Sequence, residues 1–141
     1  MPQGPIPSVP LLPPVTVTTE VGATNNVSLP SSTTVRQLMF AYATYVASAT
    51  VGNRIISLGL VNSSGTVVAE WQTSANATAS ATYVVEFMPG TYRETAFDAS
   101  DTIQTPFPIG LVIPAGYSLK VYDKAGISTA DTVTATFQTS V

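Results

Sequence analysis

Apolar and polar residues alternate along several short segments of the chain, with the two-residue period of β-strands. The clearest case is DTVTATFQ (residues 131–138), where Val133, Ala135 and Phe137 alternate with threonines. We expect these three side chains to face a core and the threonines to face outward.

Seven further segments have strand-like composition, rich in β-branched and aromatic residues. They are residues 15–21, 27–30, 53–61, 66–72, 82–88, 107–114 and 117–123. Turn sequences separate them, with glycines that can adopt a positive φ in NSSG (62–65), PAG (114–116) and DKAG (123–126). Residues 91–106 are predicted to be a long connection with room for one helical turn.

Residues 35–47, VRQLMFAYATYVA, favour a strand, although alanine, leucine and methionine leave a helix as an alternative. The period also predicts which side chains share a face. The predicted groups are Leu38, Phe40, Tyr42 and Val46; Val67, Ala69 and Trp71; and Tyr83, Val85 and Phe87.

About eight short strands separated by turns are typical of an antiparallel β-sandwich or a jelly-roll-like domain. We therefore predict an all-β protein with a single sandwich domain over residues 15–141. An extended, Pro-rich N-terminal arm over residues 1–14 precedes it.

The arm, MPQGPIPSVPLLPP, contains six prolines and no charged residue. Proline excludes a helix or a central strand, and in polyproline II geometry the arm would reach about 43 Å. Between the prolines stand the apolar residues Ile6, Val9, Leu11 and Leu12. We expect them to lie on a neighbouring subunit; the alternative is a disordered tail, although such tails are usually polar.

Charge is scarce in this chain of 141 residues: charged residues make up 9%, apolar residues 45%, and the net charge is −3. Typical soluble domains carry about 25% charged residues. Mean hydropathy is +0.30. Such a composition suits a neutral β-surface, or a surface that partners largely cover.

The chain contains no cysteine and no histidine. Thiolate metal sites and the Ser-His-Asp and Cys-His constellations are therefore impossible within one chain. We predict no enzyme activity, no cofactor and no metal site. A Ser–Lys pair using Lys120 or Lys124 stays open as an alternative.

Carboxylates are a second group of candidate catalytic residues, because a glycoside hydrolase needs two of them flanking its substrate. The candidates are Glu70, Glu86, Glu94, Asp98 and Asp101. Asp98 and Asp101 could also ligate a cation, but the calcium-loop pattern D-x-D-x-D-G is missing. An acidic surface loop is the preferred interpretation.

Other partners are disfavoured by what the chain lacks. Five basic residues scattered through an acidic chain form no patch for nucleic acid or membrane surfaces, and no apolar run approaches membrane-helix length. Exposed aromatic residues could bind glycans. Trp71 is expected in the core, however, and Tyr122 alone is expected to face outward.

Two segments carry a resemblance to a known family: GNRIISLGLVNSSGTVVAEW (52–71), and residues 109–137 with their PAGxxL turn and a following D-x-AG…D-x-V. They resemble small β-sandwich virion proteins of tailed bacteriophages, of the head decoration or cement type. The resemblance implies a location on the capsid exterior after synthesis in the host cytoplasm. It further implies binding to the major capsid protein, commonly as a homotrimer.

The functional hypothesis is a structural virion protein that cements the capsid by non-covalent bridging of adjacent subunits. The predicted contact residues are Ile6, Val9, Leu11 and Leu12, with Arg36 and Arg54 as interface ion partners. Two alternatives are a receptor- or glycan-binding module of a phage tail or fibre, and a hydrolase.

Overall fold

The computed structural model describes residues 4–5, 14–22, 24–73, 76–90 and 102–141, and this part of the chain is all-β. Its ten strands are β1 (Val15–Gly22), β2 (Asn26–Leu29), β3 (Arg36–Val46), β4 (Ile56–Val61), β5 (Val67–Gln72), β6 (Thr82–Pro89), β7 (Thr102–Phe107), β8 (Val112–Ile113), β9 (Ser118–Asp123) and β10 (Thr132–Ser140). The predicted fold class is confirmed, and the segment that could have been a helix is the strand β3.

Two sheets form the sandwich. The first has the order β1-β10-β3-β6-β7, with β8 also pairing β3, and the second has the order β2-β9-β4-β5. The antiparallel pairs are nested along the chain: β1 with β10, β2 with β9, β3 with β6, and β4 with β5. One long hairpin rolled into two sheets is the topology of a jelly roll.

β7 departs from the predicted pattern, because it occupies part of the predicted connection and runs parallel to β6. Parallel neighbours cannot be joined by a tight hairpin, so β6 and β7 do not form the simple hairpin that joins antiparallel neighbours. β7 is the edge strand of its sheet, which explains how it accommodates Pro106. The predicted strand over 107–114 shortens accordingly to β8.

The core lies between the two sheets, and both sheets contribute side chains to it. Phe87, Phe137 and Tyr45 from the first sheet and Leu58 and Leu119 from the second are completely buried. Each large apolar side chain buried in this way contributes about 1.5–3 kcal/mol. The inward positions predicted for β10 are confirmed, because Val133 and Ala135 are buried as well as Phe137.

A β-bulge in β3 overturns one predicted face. Leu38 pairs with Thr139 and Phe40 pairs with Gln138, so Met39 is an extra residue. An extra residue shifts the alternation by one and exchanges the two faces beyond it. Ala41, Ala43 and Tyr45 therefore point inward, and the prediction that Phe40, Tyr42 and Val46 share the face of Leu38 is wrong.

A second bulge has the same effect in β5. Leu60 pairs with Ala69 while Val61 pairs with Val67, so Val68 is the extra residue. Val67 consequently leaves the face of Ala69, contrary to the prediction. Trp71 packs against the core as predicted, with its ring centroid 6.5 Å from that of Phe107.

Candidate functional site

β1 presents its valines to the outside of the sandwich. The exposed fractions of Val15, Val17 and Val21 are 52%, 65% and 75%. Thr18, by contrast, lies opposite the buried Phe137 and therefore points toward the other sheet. The usual arrangement places the apolar positions of a strand inside. The apolar side chains of β1 therefore point away from the core.

Apolar and aromatic side chains occur again on the outer side of β3. Phe40 and Tyr42 lie on the outer side because the bulge at Met39 turns them there. Their rings form a tilted pair with centroids 5.8 Å apart, and Tyr42 is 40% exposed. β10 runs between β1 and β3 and contributes mainly threonines. We name as the outer face the outward residues of these three strands: Val15, Val17, Thr19, Val21, Phe40, Tyr42, Thr44, Val46, Thr132, Thr134, Thr136 and Gln138.

The outer face contains no charged side chain. Where the same side of the sheet extends onto β6 and β7, the described residues add a single charge, Glu86, and its carboxylate accepts a hydrogen bond of 3.0 Å from Gln104 Nε2. Neutral hydroxyls supply the polarity instead: those of Thr19 and Thr136 lie 2.9 Å apart and bond to each other. A partner could therefore cover this surface without desolvating an ion.

The second sheet has a different exterior, where charged groups are already paired. Glu70 accepts hydrogen bonds from Tyr122 Oη and Lys124 Nζ, and Lys120 Nζ lies 4.9 Å from the centroid of the Tyr122 ring. The bonds from Lys124 and Tyr122 lower the pKa of Glu70. Burial, and then the bond to Glu70, raise the pKa of Tyr122. Tyr122 faces outward as predicted, but its hydroxyl is engaged.

A shallow groove of ≈430 Å³ runs along β5 and is lined by Val67, Val68, Ala69 and Glu70. Glu70 is its single carboxylate, so the groove does not provide the converging pair that a glycoside hydrolase requires. No group of three acidic, histidine or cysteine residues that could hold a metal occurs in the described ranges. Glu94, Asp98 and Asp101 lie outside them.

Arg54, predicted as an interface ion partner, is placed inside the chain and is completely buried. Its guanidinium binds the Asp131 carboxylate through Nε–Oδ2 at 2.9 Å and Nη2–Oδ1 at 3.1 Å, and Nη1 donates to the Gly52 carbonyl at 2.8 Å. The hydrogen bond to Asp131 raises the pKa of Arg54. These bonds pair the charge of Arg54 within its own chain.

Asp131 was not among the predicted site residues, yet four hydrogen bonds from three residues converge on its carboxylate. Besides Arg54, the Tyr45 hydroxyl donates to Oδ2 at 2.8 Å and the Ser48 amide donates to Oδ1 at 2.7 Å. Burial alone would raise the pKa of Asp131, but the hydrogen bonds from Arg54, Ser48 and Tyr45 outweigh it and hold this pKa well below its usual range. The cluster is a structural clamp, since every charge in it has a partner.

Arg36 lies at the opposite end of β3 from this clamp and is half-buried. Its Nη2 donates to the Pro30 carbonyl at 2.8 Å, while Nε is buried without a hydrogen-bond partner. Burial lowers the pKa of Arg36. The predicted contact residues of the arm, Ile6, Val9, Leu11 and Leu12, lie outside the described residues. The structure thus does not bring the two arginines together.

No family model and no curated protein matches the chain. Nine solved chains match it. One is from infectious bursal disease virus Gx strain, at 15% identity and a TM-score of 0.36, covering 96% of this chain and 44% of that one. Another is from the Gt strain of the same virus, at 14% identity and a TM-score of 0.30, and the match covers 96% of this chain and 46% of that one. A third is from T=1 particles derived from infectious bursal virus. Its identity is 12% and its TM-score is 0.29, and the match covers 97% of this chain and 44% of that one.

The chain therefore spans less than half the length of these viral chains. They are capsid proteins built on a β-sandwich. At such identities and TM-scores, the likeness does not extend to a function. No helix among the described residues is long and apolar enough to span a membrane.

Proposed function

We propose that this chain is a structural protein of a virus particle, which decorates or cements the capsid by non-covalent bridging of adjacent subunits. The observation that carries the proposal is the outer face of β1, β10 and β3. There Val15, Val17 and Val21 point outward beside the Phe40–Tyr42 pair, and no charge interrupts the surface.

The physical argument concerns what this surface gains from a partner. Covering apolar area stabilises a complex by about 25 cal/mol per Å² before the costs of association. The outer face adds no ionic desolvation penalty, so the gain is opposed by the costs of association and of ordering side chains but not by burial of a charge.

Several finer parts of the proposal rest on the resemblance of residues 52–71 and 109–137 to small virion proteins of tailed bacteriophages. The resemblance supports a tailed-phage head as the particle, the major capsid protein as the partner, the capsid exterior as the location and a homotrimer as the assembly. The low charge content supports extensive coverage by partners, since 9% charged residues give little electrostatic protection against association.

A receptor- or glycan-binding module of a tail or fibre is the second candidate. It is favoured by the same aromatic pair, because Phe40 and Tyr42 group two rings on one accessible surface. The two functions differ in their ligand. Glycan binding would appear on an array with the isolated chain, whereas cementing would appear as occupancy on particles.

The decisive experiment compares particles assembled with variant chains. Val17→Asp places a charge on the outer face, on strand β1, and Val68→Asp places the same charge at a half-exposed position on the second sheet. We expect Val17→Asp to reduce occupancy on particles and to lower their thermal stability, while Val68→Asp does neither. Equal occupancy for both variants, with both chains folded by circular dichroism, would overturn the proposal.

A further inference from the structure

We propose that the Pro-rich arm of one copy docks on the outer face of a second copy, over the Phe40–Tyr42 pair. The inference rests on the proposed role of the outer face as an interface and adds its occupant. It joins two uncharged features: an arm with apolar residues between its prolines, and a sheet surface that exposes valines and two aromatic rings among threonines.

The chemistry of the arm restricts how it can bind. Six of its fourteen residues are prolines, which have no amide hydrogen. The arm therefore cannot extend a sheet by hydrogen bonding along an edge strand, which requires regular backbone donors. It must bind through side chains, with Ile6, Val9, Leu11 and Leu12 as the apolar contacts.

The outer face offers what a Pro-rich segment needs. Such segments dock in polyproline II conformation against surfaces lined by aromatic rings, because proline packs well on a flat ring and loses little entropy on binding. The tilted Phe40–Tyr42 pair supplies the rings. Polyproline II leaves backbone carbonyls free, and the hydroxyl of Thr44 on the same face can donate to them.

The attachment of the arm points to a second copy. The arm joins the sheet at Pro14, whose carbonyl accepts a hydrogen bond of 3.3 Å from the Val141 amide, and Val15 follows at once on the edge strand β1. Reaching the Phe40–Tyr42 pair of its own chain would require a reversal directly before β1. Pro13 and Pro14 disfavour that reversal, because each proline biases its predecessor toward an extended backbone.

The length of the arm is compatible with docking on a second copy. The aromatic pair lies two strands from β1, or about 10 Å across the sheet. The arm could extend about 43 Å, so its length permits contact with a second copy. If every copy donates its arm to the next copy around a rotation axis, the contact is heterologous and can close into a ring such as a cyclic trimer.

Two substitutions in the full chain test the contact. Leu11→Asp charges an apolar position of the arm, and Ser8→Asp adds the same charge at a polar position of the same arm. On the face, Tyr42→Lys is matched by Val68→Lys on the second sheet. We expect Leu11→Asp and Tyr42→Lys to shift the mass measured by light scattering toward the monomer, and the two controls to keep the oligomer.

Cysteine cross-linking distinguishes a second copy from docking within one chain, because the protein contains no cysteine of its own. Ser8→Cys is combined with Thr44→Cys, which lies on the outer face two residues beyond Tyr42. Under mild oxidation we expect disulfide-linked oligomers on a non-reducing gel, and none when Ser8→Cys is paired with Val68→Cys.

An intrachain disulfide, or an oligomer that Leu11→Asp and Tyr42→Lys leave intact, would overturn the inference. The proposed function would survive either result as long as Val17→Asp still reduced occupancy on particles. If Val17→Asp failed there while the interchain cross-link formed, the arm contact would stand without the capsid role.

Discussion

Arg54 and Asp131, 77 residues apart in the chain, form a completely buried bidentate ion pair. The pair joins the segment that precedes β4 to the residue that precedes β10. Through Tyr45 and Ser48 it also holds the end of β3. Strands from both sheets therefore meet at one electrostatic clamp, which makes this end of the sandwich sensitive to single substitutions.

Replacing Arg54 by an uncharged residue should strongly destabilise the fold. Arg54→Met leaves Asp131 buried without its counter-charge, and we expect a loss of about 3–5 kcal/mol in the free energy of unfolding. Urea denaturation measures this loss. Lys124→Met, which breaks the partly exposed pair with Glu70, is the control and should cost at most about 1 kcal/mol. Similar losses for the two variants would show that burial does not determine the energy of the pair.

The same pair predicts acid sensitivity. The pKa of Asp131 is depressed in the folded state, so its contribution is complete above the unfolded value of about 3.9 and declines as the pH falls toward the folded value. We expect stability to fall with decreasing pH below about 4. Asp131→Asn should show a shallower fall in urea titrations at several pH values. Parallel curves for the two proteins would contradict the assignment.

The stability of the fold at alkaline pH should depend on the Tyr45 phenol. Burial, and then its hydrogen bond to Asp131, raise the pKa of this phenol. A raised folded pKa gives stability that is complete below the unfolded value of about 10 and is lost as the pH rises above it. We expect Tyr45→Phe to weaken the alkaline loss of stability. Tyr122 also has a raised pKa, and Tyr122→Phe serves as the comparison at a less buried site.

Gly22 is expected to resist substitution by alanine. A Cβ atom there would lie 2.0 Å from the Asn26 carbonyl oxygen, so the turn between β1 and β2 would have to move. We predict a loss of about 2–3 kcal/mol for Gly22→Ala. Gly65→Ala has open space but a φ of 84°, and should cost about 1 kcal/mol. Thermal unfolding by circular dichroism would separate the two. A smaller loss at Gly22 than at Gly65 would contradict the predicted clash.

The exposed valines of β1 should matter little to the isolated chain. Val17→Thr and Val21→Thr remove apolar area that is already in water, so we expect changes within about 0.5 kcal/mol. Phe137→Ala, in the core beneath them, should cost about 3–5 kcal/mol. A dye that reports apolar surface should bind the two threonine variants less strongly. A large destabilisation by Val17→Thr would mean that this side chain is already covered within its own chain.

Local patterns in the sequence determined much of the fold. The alternation of β10, the Gly65 and Gly126 turns and the all-β class all follow from backbone sterics and from the two-residue period. These properties depend on neighbours in the chain. The apolar, uncharged character of the arm and the scarcity of charge could also be seen directly in the sequence.

Only the tertiary structure decided which side of each strand became the inside. The bulges at Met39 and Val68 arise from pairing with distant strands and reverse the faces beyond them. The parallel β6–β7 pair and the ion pair of Arg54 with Asp131 likewise depend on residues brought together by folding. A local period fixes the spacing of side chains along a strand but not its phase. That phase, and with it the uncharged outer face, was set by strand register.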